Sequence, residues 1–299
     1  MTTQPPPTTY DILIAGGRVI DPARGLDGQL DVAIAGGRIA RIEAGINSDS
    51  ALRTLDASGR IVTPGLIDLH THVAGGLRKP VGEDVMVSAD VAGVYSGVTT
   101  VLDAGSTGAL NVAGLINYTA ALSKTRVLCL LNVGSLGVTR APEVRHPSDV
   151  DHDASVAAIL ARPDVVRGVK VRMVSPAVAE MGMDLPRAAK AIASEAGVPM
   201  MVHVGDIMGD NPVAGELAPR LLSEVLTRGD IVTHTLSFHI GALLAGDDLL
   251  QEARDARERG VVFDVGVGKV NFSFDSAKKV LDQGFIPDTL SNYLKIAIR

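Results

Sequence analysis

In the second half of the chain, apolar segments end at Lys170, His203, His234 and Asp264, spaced 33, 31 and 30 positions apart. Between them lie stretches of helical character, LPRAAKAIASEAG, AGELAPRLLSEVLTRG and DDLLQEARDARERG. A strand followed by a helix, recurring about every thirty residues, is the signature of parallel βα units. Earlier segments ending near His70–His72, Val101–Asp103 and Leu130–Asn132 extend the series. Gly97, Gly197, Gly229, Gly260 and Gly284 stand where such helices would stop, and glycine caps a helix in the left-handed conformation. The recurrence predicts an α/β fold of the (β/α)8 barrel type. A doubly wound open sheet is the alternative, but no Gly-rich phosphate loop opens a first helix. Continuing the interval puts strand eight near residue 293, and the chain stops at Arg299, so the expected barrel lacks its last helix.

Such a barrel needs a large core, and 46% hydrophobic residues can supply one. With no tryptophan and 3% aromatics, that core must be aliphatic. The net charge of −6 and the absence of a basic cluster argue against nucleic acid and against an anionic membrane surface. The single cysteine, Cys129, cannot form an internal disulfide, which fits a reducing cytoplasm. Residues 1–9 read as a disordered tail, without the basic start and apolar run of a signal peptide.

Residues 10–62 follow a different pattern, and residues 63–299 are assigned to the incomplete barrel. The stretches Ile14–Val19 and Ile34–Ile39 share the pattern I-A-G-G-R-(V/I). Alternating apolar residues around Gly-Gly predict two β-hairpins in a small β-sandwich-like module.

Residues i and i+2 of a strand point to the same face. In GLIDLHTHV, His70 and His72 therefore project together. Two imidazoles on one face suit a cation that takes nitrogen ligands, and they suit two structural histidines equally. His203 in PMMVHVGD and His234 in DIVTHTL also fall late in apolar strands. The C-terminal strand ends of a βα barrel converge on one mouth, so these four histidines are expected to meet there. His146, His152 and His239 lie in polar loops or at helix starts and are expected to be solvated. In VVRGVKVRM, Lys170 and Arg172 share the face opposite Val169 and Val171 and point into the mouth. A buried ammonium is costly without a partner. Either Lys170 pairs with an aspartate such as Asp103, or its amine takes up carbon dioxide and becomes an anionic carbamate able to bridge two metal ions. Arg172 would bind a substrate carboxylate or form an internal salt bridge.

VTPGLIDLHTHV resembles the opening of the amidohydrolase superfamily barrel. TVLDAGSTGA, GVKVRM, VHVGD and VVFDVGVG resemble its binuclear-metal deacetylases and dihydroorotase-like metallohydrolases, over about residues 10–288. The resemblance implies that His70 and His72 bind one divalent ion, that His203 and His234 bind the other, and that carboxylated Lys170 bridges both. It implies zinc, although ligand softness admits manganese, cobalt or nickel. The activity implied is metal-dependent hydrolysis of amide C–N bonds in small N-acyl or cyclic amide substrates, by attack of a metal-bound hydroxide. The partner expected is a small molecule, and homo-oligomerisation is left open.

The chain departs from that family in its last strand. Relatives carry Ser-x-Asp-Leu-His where this chain has Ser291, Asn292, Tyr293, Leu294 and Lys295. Tyr293 thus holds the position of the proton-transferring aspartate, and Val267 stands where relatives often have histidine. Asp288 lies five residues before Tyr293, roughly 16 Å along a strand, and is expected at the far end of the barrel. Asp264 is the candidate substitute, with a hydrogen-bonded loop aspartate as its alternative reading; Asp206 is expected to serve a loop. The sequence therefore leaves two readings open, a hydrolase and a truncated or catalytically silent metal-binding relative.

Overall fold

A computed structural model of the protein describes residues 10–75 and 86–291. Two compact units divide between Leu66 and Ile67.

The first unit is a five-stranded sheet made of β1 (Tyr10–Asp21), β2 (Leu26–Ala35), β3 (Arg38–Glu43), β4 (Ala51–Asp56) and β5 (Ile61–Val62). β2 runs antiparallel to β1 and β3, while β4 and β5 lie parallel to successive halves of β1. The two Gly-Gly pairs do different things. Gly36 and Gly37 both have positive φ and turn β2 into β3, as a two-residue hairpin requires. Gly16 and Gly17 form no turn; they sit inside β1, where the register against β2 shifts between Ile14 and Gly17. Gly16 has φ +73°, and its N–H donates to Asp31 Oδ1 at 2.7 Å. A Cβ on Gly17 would lie 2.6 Å from Val62 Cγ2. The second predicted hairpin is thus a glycine bulge, at which β1 exchanges β4 for β5 as its parallel neighbour.

The second unit is a curled parallel sheet of seven strands: β6 (Leu66–Thr71), β7 (Val98–Ala104), β8 (Arg126–Asn132), β9 (Val166–Arg172), β10 (Met200–His203), β11 (Ile231–Thr233) and β14 (Val262–Asp264). They pair in that order, as sequential βα units must. Helices His152–Ala161, Asp184–Glu195, Pro212–Arg220 and Gln251–Glu258 lie between successive strands from β8 onward, and Phe274–Asp282 follows β14. The segment predicted to open the helix before β14 instead forms a small hairpin of β12 (Leu244–Ala245) and β13 (Asp248–Leu249), so that helix starts only at Gln251.

Aliphatic side chains such as Leu185, Ile192, Met200 and Val232 are wholly buried in the main core. A second, smaller cluster of Leu102, Ala104, Leu130 and Met201 comes from the opposite faces of the same strands. It fills the inside of the curl. Beyond β14, Asp288–Ser291 runs alongside strand seven: Asp288 N–H donates to Phe263 O, Val265 N–H to Thr289 O and Val267 N–H to Ser291 O. The eighth strand position is therefore entered at Asp288. Asn292, Tyr293, Leu294 and Lys295 lie outside the described residues. Among the described residues, no helix is long and apolar enough to cross a membrane.

Candidate metal centre

Parallel register aligns one row of side chains across four strands. Arg172 is opposite His203, His203 opposite Thr233, and Thr233 opposite Asp264. The row beneath it holds Asn132, Lys170 and Met201. His203 thus faces the inside of the curl from the last residue of β10, and Lys170 lies one row deeper.

His234 falls just past β11, one residue after Thr233, so an extended backbone would aim it outward. Its φ of +69° turns it back. That conformation is uncommon for any residue with a Cβ, and here it carries the imidazole to His203 and His70, with ring centroids 4.3 and 4.7 Å away. The His70 and His72 rings are 5.8 Å apart. The four histidines expected at the mouth are together and buried.

Each ring is held by a neighbour. His72 Nδ1 is 2.8 Å from Ser106 Oγ, and His70 Nδ1 is 2.9 Å from Thr233 Oγ1. His234 Nδ1 meets the Gly266 carbonyl at 2.8 Å, and His203 Nε2 meets the Gly205 carbonyl at 3.2 Å. A carbonyl only accepts, so a neutral His234 carries its lone pair on Nε2 and a neutral His203 carries its own on Nδ1. Burial, reinforced by neighbouring positive groups, holds His70 and His203 well below the usual imidazole range and pushes His234 down to about 3. These three are neutral nitrogen donors at pH 7.

Lys170 leads the fully buried side chains in volume. Its Nζ lies 3.3 Å from the Met201 thioether, its one hydrogen-bond partner among the described residues. The alternative pairing with Asp103 does not form, because that carboxylate accepts from the backbone N–H groups of Val73 and Ser106. Burial first, then the Arg172 charge, pushes Lys170 down to about 7. Gly105 makes room for its stem: a Cβ there would stand 2.7 Å from Lys170 Cβ and Cγ.

Arg172 forms a two-pronged, largely buried salt bridge with Glu143. Glu143 comes from the loop after β8 and carries no local sequence signal. Both oxygens of Asp264 accept hydroxyls, Oδ1 from Thr289 and Oδ2 from Thr233 and Ser291. Asp206 organises the loop after β10, accepting from Ser175, Met208 and Asn211. Asp288 accepts the Phe263 N–H and pairs with Arg257, away from the histidines. His146 is exposed beside Glu180, and His152 is half-buried beside Glu195. His239 departs from expectation: its side chain is only 12% exposed and bridges Asp210 to the Val270 carbonyl.

Imidazole nitrogens are donors that zinc and similar borderline cations accept. Among the described residues, no three His, Cys, Asp or Glu side chains by themselves are arranged to hold a metal ion. The four rings form a chain, His72–His70–His234–His203, with centroids 5.8, 4.7 and 4.3 Å apart, and any two of them are one donor short of the three protein ligands usual in an open metal site.

The sequence profile of the amidohydrolase family matches residues 61–283. A deacetylase of Brucella anthropi is 32% identical over 265 residues, covering 86% of this chain and 62% of that protein. Among solved structures, an adenine deaminase matches with a TM-score of 0.82 at 31% identity, over 97% of this chain and 74% of its own. A dihydroorotase matches with a TM-score of 0.82 at 29% identity, over 96% and 73%. The chain spans 62% and 63% of the length of two curated deacetylase relatives, from Brucella anthropi and Agrobacterium fabrum.

Proposed function

Because the chain belongs to the amidohydrolase family, we propose that it is a metal-dependent hydrolase of C–N bonds in small N-acyl or cyclic amide substrates. The carrying observation is the convergence of four buried imidazoles with a buried lysine that has no carboxylate partner among the described residues. The unprotonated amine is the form that combines with carbon dioxide, and burial favours that form of Lys170. A carbamate on Lys170 would give each histidine pair its missing oxygen donor. His70 and His72 would then hold one ion, His203 and His234 the other, and Lys170 would bridge them, with zinc suiting this nitrogen and oxygen set. Two such ions supply Lewis-acid polarisation of a carbonyl and ionisation of water at neutral pH.

The chain's own groups define the rest. Ser106, Thr233 and the carbonyls of Gly205 and Gly266 orient the four rings, leaving little reorganisation when ions bind. Arg172 would receive a substrate carboxylate by exchanging it for Glu143, which already occupies its fork. The lone buried cysteine supports a cytoplasmic setting, and the net charge of −6 favours a small molecule over nucleic acid or membrane as the partner.

Metal analysis of the purified protein, with assays on N-acetyl amino acids and dihydroorotate, tests this reading. Two equivalents of metal per chain and turnover of one substrate class are expected; absence of metal would sink it. The second reading, a metal-binding but silent relative, draws on Asp264, whose two oxygens already accept three hydroxyls. It predicts metal without turnover in the native chain and turnover after Tyr293→Asp. Turnover in the native chain that Asp264→Asn abolishes would overturn it.

A further inference from the structure

Asp264 lies at the centre of a hydroxyl network that joins three strand positions and reaches a fourth. Thr233 from β11 donates to Oδ2 at 2.8 Å, Ser291 to the same oxygen at 2.6 Å and Thr289 to Oδ1 at 2.8 Å. Asp264 is wholly buried, and an ionised carboxylate only accepts. The Thr233 hydroxyl has one proton, and it is committed to Asp264. Its oxygen can therefore only accept from His70 Nδ1, 2.9 Å away. His70 belongs to β6, at the other edge of the seven-stranded sheet from β14.

We infer that Asp264, acting through Thr233, is a positioning residue that fixes His70 as its Nδ1–H tautomer and so leaves the lone pair on Nε2. Without the carboxylate, the Thr233 proton could turn toward His70 and select the opposite tautomer. The hydroxyl is thus a one-way relay, and its direction is set by an acid more than one side chain away. Asp264 is then employed in ligand orientation, which explains why its oxygens face hydroxyls. The consequence for metal affinity rests on the proposed function; the tautomer does not.

The test uses the full chain and two readouts. In metal-free protein, long-range ¹⁵N–¹H correlation reports which His70 nitrogen bears the proton. The wild type and Thr233→Ser should show Nδ1–H, while the near-isosteric Thr233→Val and, independently, Asp264→Leu, which removes the acceptor, should lose it. Retention of the Nδ1–H form in both of the latter variants would overturn the inference. With cobalt as probe, Thr233→Val should bind one ion about 10–100-fold more weakly in chelator competition, with an altered visible spectrum, and Thr233→Ser should restore both. Unchanged affinity and spectrum in Thr233→Val would also count against it. If the wild type binds no cobalt, the proposed function fails and the tautomer measurement still decides the inference.

Discussion

Lys170 shows how one residue's surroundings prepare its chemistry. Its stem passes over Gly105, whose φ is +87°. Alanine there would combine backbone strain with a 2.7 Å contact to the lysine stem. Gly229 has φ +88° and nothing within 4 Å of where a Cβ would stand, so it carries the strain of positive φ without a contact. Gly105→Ala should cost about 1–3 kcal/mol in urea unfolding, and more than Gly229→Ala. Equal costs would mean that Lys170 yields easily. The same burial sets a pH dependence. His70, His203 and His234 have depressed values when folded and ordinary ones when unfolded, so the unfolded chain binds more protons below pH 6.5. Their contribution is present above that pH and is lost as pH falls, each by about 1.4 kcal/mol per unit. Lys170, at about 7 folded against 10.5 unfolded, adds stability as pH rises through that interval. Metal-free protein should therefore show a urea midpoint that climbs from pH 5.5 to 8; a flat or falling profile would contradict the neutral cluster.

At the scale of elements, the first sheet shows how far a pattern can be read. The two I-A-G-G-R stretches look alike, yet Gly36–Gly37 turns the chain and Gly16–Gly17 bulges it. The difference comes from Asp31, on the neighbouring strand, whose carboxylate takes the N–H groups of both Gly16 and Ile46. Asp31→Ala should leave those donors unpaired and destabilise this sheet by about 1–3 kcal/mol. Faster hydrogen exchange at Gly16 and Ile46, with β8 to β10 unchanged, is the expected signature; unchanged protection there would remove Asp31 from the explanation. The barrel strands were legible because their period and spacing are local properties of the chain. Lys170, His203 and the His70–His72 pair were legible for the same reason, through alternation along a strand. His234 was reached by a rule it breaks, since only its left-handed backbone brings it inward. Thr233 and Glu143 were missed because their roles depend on register between strands and on a loop's path. Neither is written in any single stretch of sequence.

For the whole molecule, the question is whether the site and the fold are one cooperative system. The candidate ligands come from β6, β9, β10 and the end of β11, so ions held by them would tie distant segments together. Cys129 is a built-in reporter of that coupling. It lies wholly buried in β8, and burial raises its thiol far above the usual range. A thiol that is protonated and enclosed reacts only when the strand opens. Native protein should therefore resist iodoacetamide, and label stoichiometrically in denaturant. Ions that bind only the folded chain suppress opening by the factor 1 + [L]/Kd, so zinc at a hundred times its dissociation constant should slow labelling about 100-fold. That slowing requires the opening of β8 to break the metal site. Zinc that binds while labelling continues at the metal-free rate would show instead that β8 opens with the ligands still assembled, and that the centre is carried by only part of the barrel.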